Sequence, residues 1–335
     1  MRAGVIFGIV LVLLLIQVSA ATPHGEVKNV IVLIGDGMGF GQVQLTKLVY
    51  GHLNIENIPY TGFELTDSLS GEVTDSAAAG TAIATGFKTY NGMISTLKFD
   101  GKVVNLTTLL ELAQFMNKST GLVTTTRITH ATPAVFASHT ESRKMEEEIA
   151  RQLIQHKVNV LFGGGKGKFD ERTLNLAKKY GYEVVFDRKG LEEVSGDYVL
   201  GLFADSHIPY VLDRDANTPS LLDMTKKAIE ILERNPNGFF LMVEGGRIDH
   251  ACHTNDVAST VAETKEFDDV VGYVLEYARE KDDTLVIVTA DHETGGLAVG
   301  IDYGSPVNVE KMKGIKKSIS FMVADKEGRR YQGCH

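Results

Sequence analysis

The chain has 335 residues, of which 43% are hydrophobic and 23% charged, a composition that allows a large buried core. Its formal net charge of -9 excludes a general nucleic-acid binder, because binding to a phosphate backbone requires a positive surface. Any affinity for phosphate must therefore come from a local site.

The first twenty residues have the pattern of a secretory signal. Arg2 precedes an apolar run over residues 5–15, and the small residues at 18–20 suit cleavage. An uncleaved anchor is the alternative, but the run is shorter than the roughly 20 apolar residues of a spanning helix. We therefore expect export to a periplasm or the extracellular space, with no stable membrane anchor. Since the chain has only Cys252 and Cys334, it is not a disulfide scaffold.

Apolar, β-branched segments alternate with helical patterns along the rest of the chain. Strands are predicted over residues 29–34, 121–125, 158–162, 182–186, 238–243 and 284–289, and helices over 106–117, 145–156, 172–180, 221–234 and 257–280. This alternation predicts an α/β fold, a three-layer α/β/α sandwich around a mostly parallel central sheet. Ligands in such folds bind outside the carboxyl ends of the strands. Because the sequence contains no repeat or linker, we expect residues 21–335 to form a single catalytic domain.

Asp36 lies at the first strand exit, between two glycines. A carboxylate in this setting can be approached closely by a metal ion, because no neighbouring side chain intervenes. An Asp-Gly turn is the alternative for this motif alone. No Gly-x-Gly-x-x-Gly register fits residues 35–41, which excludes a dinucleotide fingerprint.

Ser76 precedes an alanine-rich segment of high helix propensity. A serine at the start of a helix lies near free backbone N–H groups, which favour an alkoxide and a bound phosphate. Helix capping by Asp75 or Ser76 is the simpler explanation of the segment taken alone. A metal ion can activate such a hydroxyl without a Ser-His-Asp triad.

Two later strand exits are rich in carboxylates and histidines. Asp249 and His253 lie four residues apart, so one face of a helical turn could present both to one ion. Asp291 and His292 offer oxygen and nitrogen ligands side by side, which suits zinc, although a hydrogen-bonded loop pair is the alternative.

Two other segments have more than one interpretation. Arg143 offers a planar fork for a phosphate, although a lone arginine is commonly a surface charge. Residues 163–169 resemble a nucleotide-binding loop, but the glycine spacing is one residue short and Phe169 replaces the required hydroxyl. We interpret this second segment as a turn.

Taken in order, these segments resemble the alkaline phosphatase family. The motifs are D-G-M-G, T-D-S-A-A-A-G, H-A-T-P, E-S-R, E-G-G-R-I-D-H-x-x-H and T-A-D-H-E, within residues 28–296. The resemblance implies hydrolysis of small phosphate monoesters through a phosphoseryl intermediate at Ser76, with two zinc ions and one magnesium ion. It also implies a homodimer, because dimers are common in the family.

The resemblance assigns the zinc ligands by position. Asp36, Asp291 and His292 would hold the zinc ion that lowers the pKa of the serine. Asp249 and His253 would hold the other zinc ion.

It likewise assigns the remaining roles. Asp36, Thr132 and Glu244 would bind the magnesium ion. Arg143 would act in catalysis by clamping two phosphate oxygens, and His250 would contribute to substrate binding.

Two histidines depart from the pattern most often described for bacterial members. His130 and His250 stand where an aspartate and a lysine are frequent, whereas other members, including animal enzymes, have histidines there. His130, as a ligand or a neighbour of the ligands, would let cobalt or zinc compete with magnesium.

The C-terminus departs further. Only 43 residues follow His292, and the sole histidine among them is His335. Family members continue further and supply another histidine to the zinc ion of Asp249 and His253. Because zinc with two protein ligands is weakly held, we expect this part of the domain to be incomplete, or His335 to substitute.

Two alternatives to this function stay open. One is a related phosphodiesterase or sulfatase, although the Asp-Ser-Ala setting of Ser76 disfavours the sulfatases. The other is a catalytically impaired protein that binds phosphate or metal.

Overall fold

The computed structural model describes residues 26–300 and 308–326. The predicted signal over residues 1–20, together with Cys334 and His335, lies outside these ranges. Among the helices within the ranges, none combines the length and hydropathy that crossing a bilayer requires.

Strands and helices alternate through the described ranges. The strands are β1 (Asn29–Ile34), β2 (Thr96–Phe99), β3 (Lys102–Asn105), β4 (Ser119–Arg127), β5 (Val160–Gly164), β6 (Glu183–Val185), β7 (Val199–Leu202), β8 (Phe239–Glu244) and β9 (Thr284–Thr289). The α-helices are α1 (Phe40–Tyr50), α2 (Ser76–Thr85), α3 (Leu109–Phe115), α4 (Ala131–Ala137), α5 (Glu146–Gln155), α6 (Glu171–Lys179), α7 (Arg188–Glu193), α8 (Leu221–Leu232), α9 (Arg247–His253), α10 (Val257–Lys281), α11 (Glu310–Lys313) and α12 (Ile319–Lys326).

Seven of the strands form a parallel sheet in the order β6-β7-β5-β4-β8-β1-β9, and β2 and β3 form a separate antiparallel pair. The register aligns the carboxyl ends of three neighbouring strands of this sheet: Ile34 of β1 pairs with Glu244 of β8 and Thr289 of β9. Thr124 of β4 also pairs with Glu244. Residues that follow these strands are therefore brought to one edge.

Each face of the sheet has its own hydrophobic core. Ile31 and Leu33 contribute to the core that is covered by α8 and α10. Val32 and Ile34 point to the opposite face, where the core is covered by helices that include α3, α4 and α5. Alternate residues of one strand thus serve two cores, which explains why β1 is apolar without interruption. The predicted three-layer α/β/α fold is confirmed.

The structure adds elements that the apolar pattern did not predict. Strand β7 has four residues, one of them Gly201, and so lacks a long β-branched run. Helix α1 is flanked by Gly39 and contains Gly41, both of which favour turns. At residues 163–169, β5 ends and the short 3-10 helix Lys166–Lys168 follows, which agrees with the predicted turn.

We expect Gly238→Ala to destabilise the protein more than Gly181→Ala. Both glycines have left-handed backbones, with φ of +83° and +89°, so alanine costs about 1–2 kcal/mol at each. A Cβ at Gly238 would also overlap the carbonyl oxygen of Lys28, whereas nothing lies within 4 Å of a Cβ at Gly181. The overlap should remove about 1–3 kcal/mol more from the free energy of unfolding. Urea unfolding of both variants measures the difference, and equal losses would contradict this explanation.

Candidate metal centre

Three carboxylates meet where the neighbouring strands β8, β1 and β9 end. Asp36 follows β1 by two residues, Glu244 is the last residue of β8, and Asp291 follows β9 by two residues. All three residues are fully buried. The in-register parallel pairing of β1 with β8 and β9 accounts for their proximity.

Several oxygens of this cluster lack hydrogen-bond donors among the described residues. Buried without a partner are both carboxylate oxygens of Asp36, Oδ2 of Asp291, Oε1 of Glu244 and the hydroxyl of Thr132. An unsatisfied buried acceptor is costly, and native proteins rarely leave several together. Bound cations would supply the missing partners, and oxygen donors of this kind suit magnesium and zinc. The residues therefore fit a metal centre.

The shifted pKa values report the same excess of negative charge. Burial, followed by repulsion from Asp291, raises the pKa of Asp36 well above its usual range. Burial also raises the pKa of Asp291, and it raises that of Glu244 to about 7. Without a counter-ion, the protein environment therefore opposes full ionisation of the cluster.

Asp36 belongs to two groups of potential ligands. One joins it to Asp249 and His292, and the other joins it to His130 and Glu244. Within each group the ligand atoms lie within 4.8 Å of one another. This arrangement allows two neighbouring cations to share Asp36.

His292 presents one ring nitrogen to this centre. Its Nδ1 lies 3.3 Å from the carbonyl oxygen of Glu293, which can only accept, so Nδ1 carries the proton in that hydrogen bond. The lone pair of Nε2 then faces Ser76 Oγ at 3.3 Å and Asp36 Oδ1 at 3.6 Å. Asp291 Oδ2 lies 3.5 Å from the same nitrogen. A tautomer held in this way is typical of a metal-binding histidine.

Helix α9 supplies the pair that was predicted from its four-residue spacing. His253 Nε2 lies 3.4 Å from Asp249 Oδ1, with the histidine side chain 67% exposed. Thr294 Oγ1 donates to the same Asp249 oxygen at 2.6 Å. Gly37 has a φ of +68°, and a Cβ there would lie 3.0 Å from the Asp249 Cα, so glycine permits this close approach.

Ser76 is the first residue of α2 and is almost completely buried. Asp75 caps the helix by accepting a hydrogen bond from the Ala78 N–H at 3.0 Å, which agrees with the capping alternative for that residue. The Asp75 carboxylate also accepts from Arg143 Nη1 at 3.1 Å. Arg143 Nη2 lies 3.0 Å from His130 Nε2. The guanidinium is therefore held between His130 and Asp75, the residue that precedes the serine.

A cluster of imidazoles borders the carboxylates. The His250 ring lies 5.5 Å from the His130 ring and 4.3 Å from the His207 ring, and its Nδ1 is 2.9 Å from Arg247 Nη1. Burial, reinforced by nearby positive charges, lowers the pKa of all three histidines. They are therefore neutral at physiological pH and keep a lone pair for a metal ion or a hydrogen bond.

The structure brings the predicted site residues that it describes to one edge of the sheet, and their individual roles stay predictions. Sequence reasoning missed the hydroxyls that orient the carboxylates. Thr124 and Thr126 donate to Glu244 Oε2, and Thr294 donates to Asp249. A run of three threonines at the end of β4 was the available signal for the first two. His207 comes from a loop without a recognisable motif.

Comparisons with known proteins agree on one family. The family model described as alkaline phosphatase matches residues 27–331. Alkaline phosphatase 4 of Bacillus subtilis is 43% identical over 316 residues, which cover 89% of this chain and 68% of the relative. The structure of a cold-active alkaline phosphatase from a psychrophilic Shewanella species has a TM-score of 0.82 and 36% identity, and the match covers 90% of this chain and 77% of that one.

A third similar structure is a histidine-to-aspartate mutant of the alkaline phosphatase from the Antarctic bacterium TAB5, with magnesium bound in its M3 site. It has a TM-score of 0.74 and 34% identity, and the match covers 81% of this chain and 79% of that one.

We expect Asp36→Asn to have opposite effects with and without metal. In the metal-free protein it should stabilise by about 1 kcal/mol or more, because it removes a buried charge that is repelled by its neighbours. In the presence of zinc and magnesium it should destabilise, because a shared ligand is lost. Thermal unfolding in chelator and in metal measures both effects.

Asp268→Asn is the matched control. Its carboxylate is also buried, but it accepts hydrogen bonds from Ile55 N–H and Asn54 Nδ2, each at 3.0 Å. That variant should lose stability under both conditions. Destabilisation by Asp36→Asn in chelator would refute the repulsion argument.

Proposed function

The chain belongs to the alkaline phosphatase family and hydrolyses phosphate monoesters, and from this premise we propose that hydrolysis proceeds through a phosphoseryl intermediate at Ser76, with two zinc ions and one magnesium ion. The observation that carries the proposal is the position of the Ser76 hydroxyl. It lies at the first turn of α2, 3.3 Å from His292 Nε2. Helix N–H groups and a cationic centre together favour attack on a phosphate.

The resemblance to the family implies three ligand sets. Asp36, Asp291 and His292 would hold the zinc ion beside the serine, and Asp249 and His253 the second zinc ion. When bound, such ions neutralise the phosphate and lower the pKa of coordinated oxygens.

The magnesium ion would be held by Asp36, Thr132 and Glu244. The buried Thr132 hydroxyl and Glu244 Oε1, neither with a hydrogen-bond partner among the described residues, support this set. Glu244 Oε2 already accepts from two threonines, so only the other oxygen is available to a cation.

In the two proposed chemical steps, the serine first loses a proton and later regains it. First, Ser76 Oγ bonds to phosphorus as the bond to the leaving alkoxide breaks, and the proton lost by serine is matched by the proton that the alkoxide takes up. Then a water oxygen attacks phosphorus, Oγ leaves, and the serine regains a proton. Two in-line displacements retain configuration at phosphorus.

Arg143 would orient the phosphate throughout these steps. Asp75 and His130 contact its two terminal nitrogens at 3.1 and 3.0 Å, which holds the planar guanidinium in one orientation. A fork held in this way can donate to two phosphate oxygens at once. His250 would assist substrate binding from the imidazole cluster, where it is close to His130.

His130 bears on the identity of the third ion. It groups with Asp36 and Glu244, and a cation there would compete with Arg143 Nη2 for the one lone pair of the neutral ring. A neutral imidazole is a softer ligand than a carboxylate, so cobalt or zinc would compete with magnesium here.

Export, the single domain and the homodimer stay predictions. Export depends on the signal pattern over residues 1–20, which lies outside the described ranges.

We expect Ser76→Ala to reduce turnover of a chromogenic phosphomonoester at least about 1,000-fold, because the nucleophile is removed. Acid quenching of the wild type during turnover should trap one phosphoryl group on the peptide that contains Ser76, as measured by mass spectrometry. Ser142→Ala, next to Arg143, should retain both turnover and trapping. Unchanged turnover in Ser76→Ala, or trapping at another residue, would contradict the assignment.

We expect His130→Asp to tighten magnesium binding about tenfold, or ~1.4 kcal/mol, because a carboxylate is a harder ligand than imidazole. Bound zinc or cobalt should decrease in the same variant. Metal analysis after dialysis against defined free-metal concentrations measures both. His52→Asp, which changes an exposed histidine, is the control. If His130→Asp binds magnesium, zinc and cobalt as the wild type does, His130 is not a ligand of the third ion.

A further inference from the structure

A second cluster of potential ligands uses none of the residues of the metal centre. It consists of Glu111, His139 and His156. Glu111 lies in the first turn of α3, His139 follows α4, and His156 ends α5. Three helices of one layer therefore meet at these side chains.

One carboxylate oxygen faces both rings. Glu111 Oε1 lies 3.0 Å from His139 Nε2 and 3.6 Å from His156 Nδ1, and all three ligand atoms lie within 4.8 Å of one another. Tetrahedral zinc with bonds of about 2.0–2.2 Å places its ligand atoms about 3.3–3.5 Å apart. The two distances to Glu111 Oε1 bracket that spacing, and the two ring nitrogens lie within 4.8 Å of each other, so side-chain adjustments would complete the coordination.

The tautomer of His139 leaves a position for a proton or a metal ion between its ring and the carboxylate. Its Nδ1 lies 2.9 Å from the carbonyl oxygen of Ser95, which can only accept, so Nδ1 carries the proton. In the neutral ring, the Nε2 lone pair then faces the Glu111 carboxylate, and two acceptors oppose each other at 3.0 Å. Either a proton or a metal ion must lie between them.

The surroundings hold these ligands as metal ligands are commonly held. The Thr108 N–H donates to the second oxygen of Glu111 at 2.9 Å, and Gln152 Oε1 accepts from the His139 backbone N–H at 2.7 Å. Outer contacts of this kind orient ligands and tune affinity. The side chains of Glu111 and His156 are 23% and 26% exposed, which leaves access for an ion and room for a water ligand.

We propose that Glu111, His139 and His156 bind a zinc ion that is separate from the catalytic ions, with water as the fourth ligand. Its role is structural, because the three ligands join α3, the segment after α4 and the end of α5. The ion would stabilise the helical layer that carries Arg143 between α4 and α5.

The test compares zinc content and zinc-dependent stability in the full chain. After dialysis at a defined low free-zinc concentration, His156→Gln should contain one zinc equivalent fewer than wild type, by plasma mass spectrometry. Its zinc-induced rise in Tm should be smaller, and phosphatase turnover in saturating zinc should be retained. His52→Gln is the matched control, because His52 also contacts a glutamate at 3.1 Å but forms no three-ligand group among the described residues.

A second variant provides the same test in case His156→Gln does not fold. Glu111→Gln keeps an oxygen that can accept from the Thr108 N–H but removes the negative charge, and it should also lose one equivalent. Anomalous scattering at the zinc edge should locate the ion between the two rings. If both variants bind as much zinc as wild type, the pair is only a protonated histidine beside a carboxylate, and the proposal is overturned.

Discussion

Repulsion among buried carboxylates is the constraint on which the functional edge of this protein depends. Asp36, Asp291 and Glu244 have no exposed surface. At least one carboxylate oxygen of each lacks a hydrogen-bond donor among the described residues. Threonine hydroxyls satisfy one oxygen of Glu244, to which Thr124 and Thr126 donate. The polypeptide therefore supplies an excess of negative charge at this edge, which bound cations would balance. We therefore expect folding and metal binding to be coupled.

The fold brings the negatively charged side chains together and also determines which groups surround them. Parallel strands in register deliver the carboxylates to one edge, and glycine at position 37 lets α9 bring Asp249 against them. Helix α2 directs its N-terminus, with Ser76, at the same place. The carboxylates thus face the positive end of the α2 dipole and the neutral imidazoles of His130 and His250. None of these groups carries a full positive charge, so the negative charge of the carboxylates is not neutralised. The described residues therefore form a site that fits divalent cations.

Much of this arrangement was predictable because it follows from local rules. Uninterrupted apolar runs identify β1, β8 and β9, and the edge rule for parallel sheets places Asp36, Glu244 and Asp291 together. Helix propensity and a preceding aspartate indicate the start of α2. The contribution of Thr294 was not predictable, since its contact with Asp249 depends on how the loop after β9 packs against α9. The Glu111 cluster was likewise hidden, because its ligands follow no motif spacing and meet only when three helices pack.

The position of β1 between β8 and β9 also determines when the metal centre can form. Its two neighbours, β8 and β9, are encoded more than 200 residues later, and about 250 residues separate Ile34 from Thr284. At roughly 5–20 residues per second, a nascent chain waits about 12–50 s before both partners have been synthesised. During that interval the apolar side chains of β1 lack their final neighbours, and Asp36 remains in water as an ordinary carboxylate. The ion-binding edge is therefore a late product of synthesis, and a ribosome that stalls before β9 would release a chain without it.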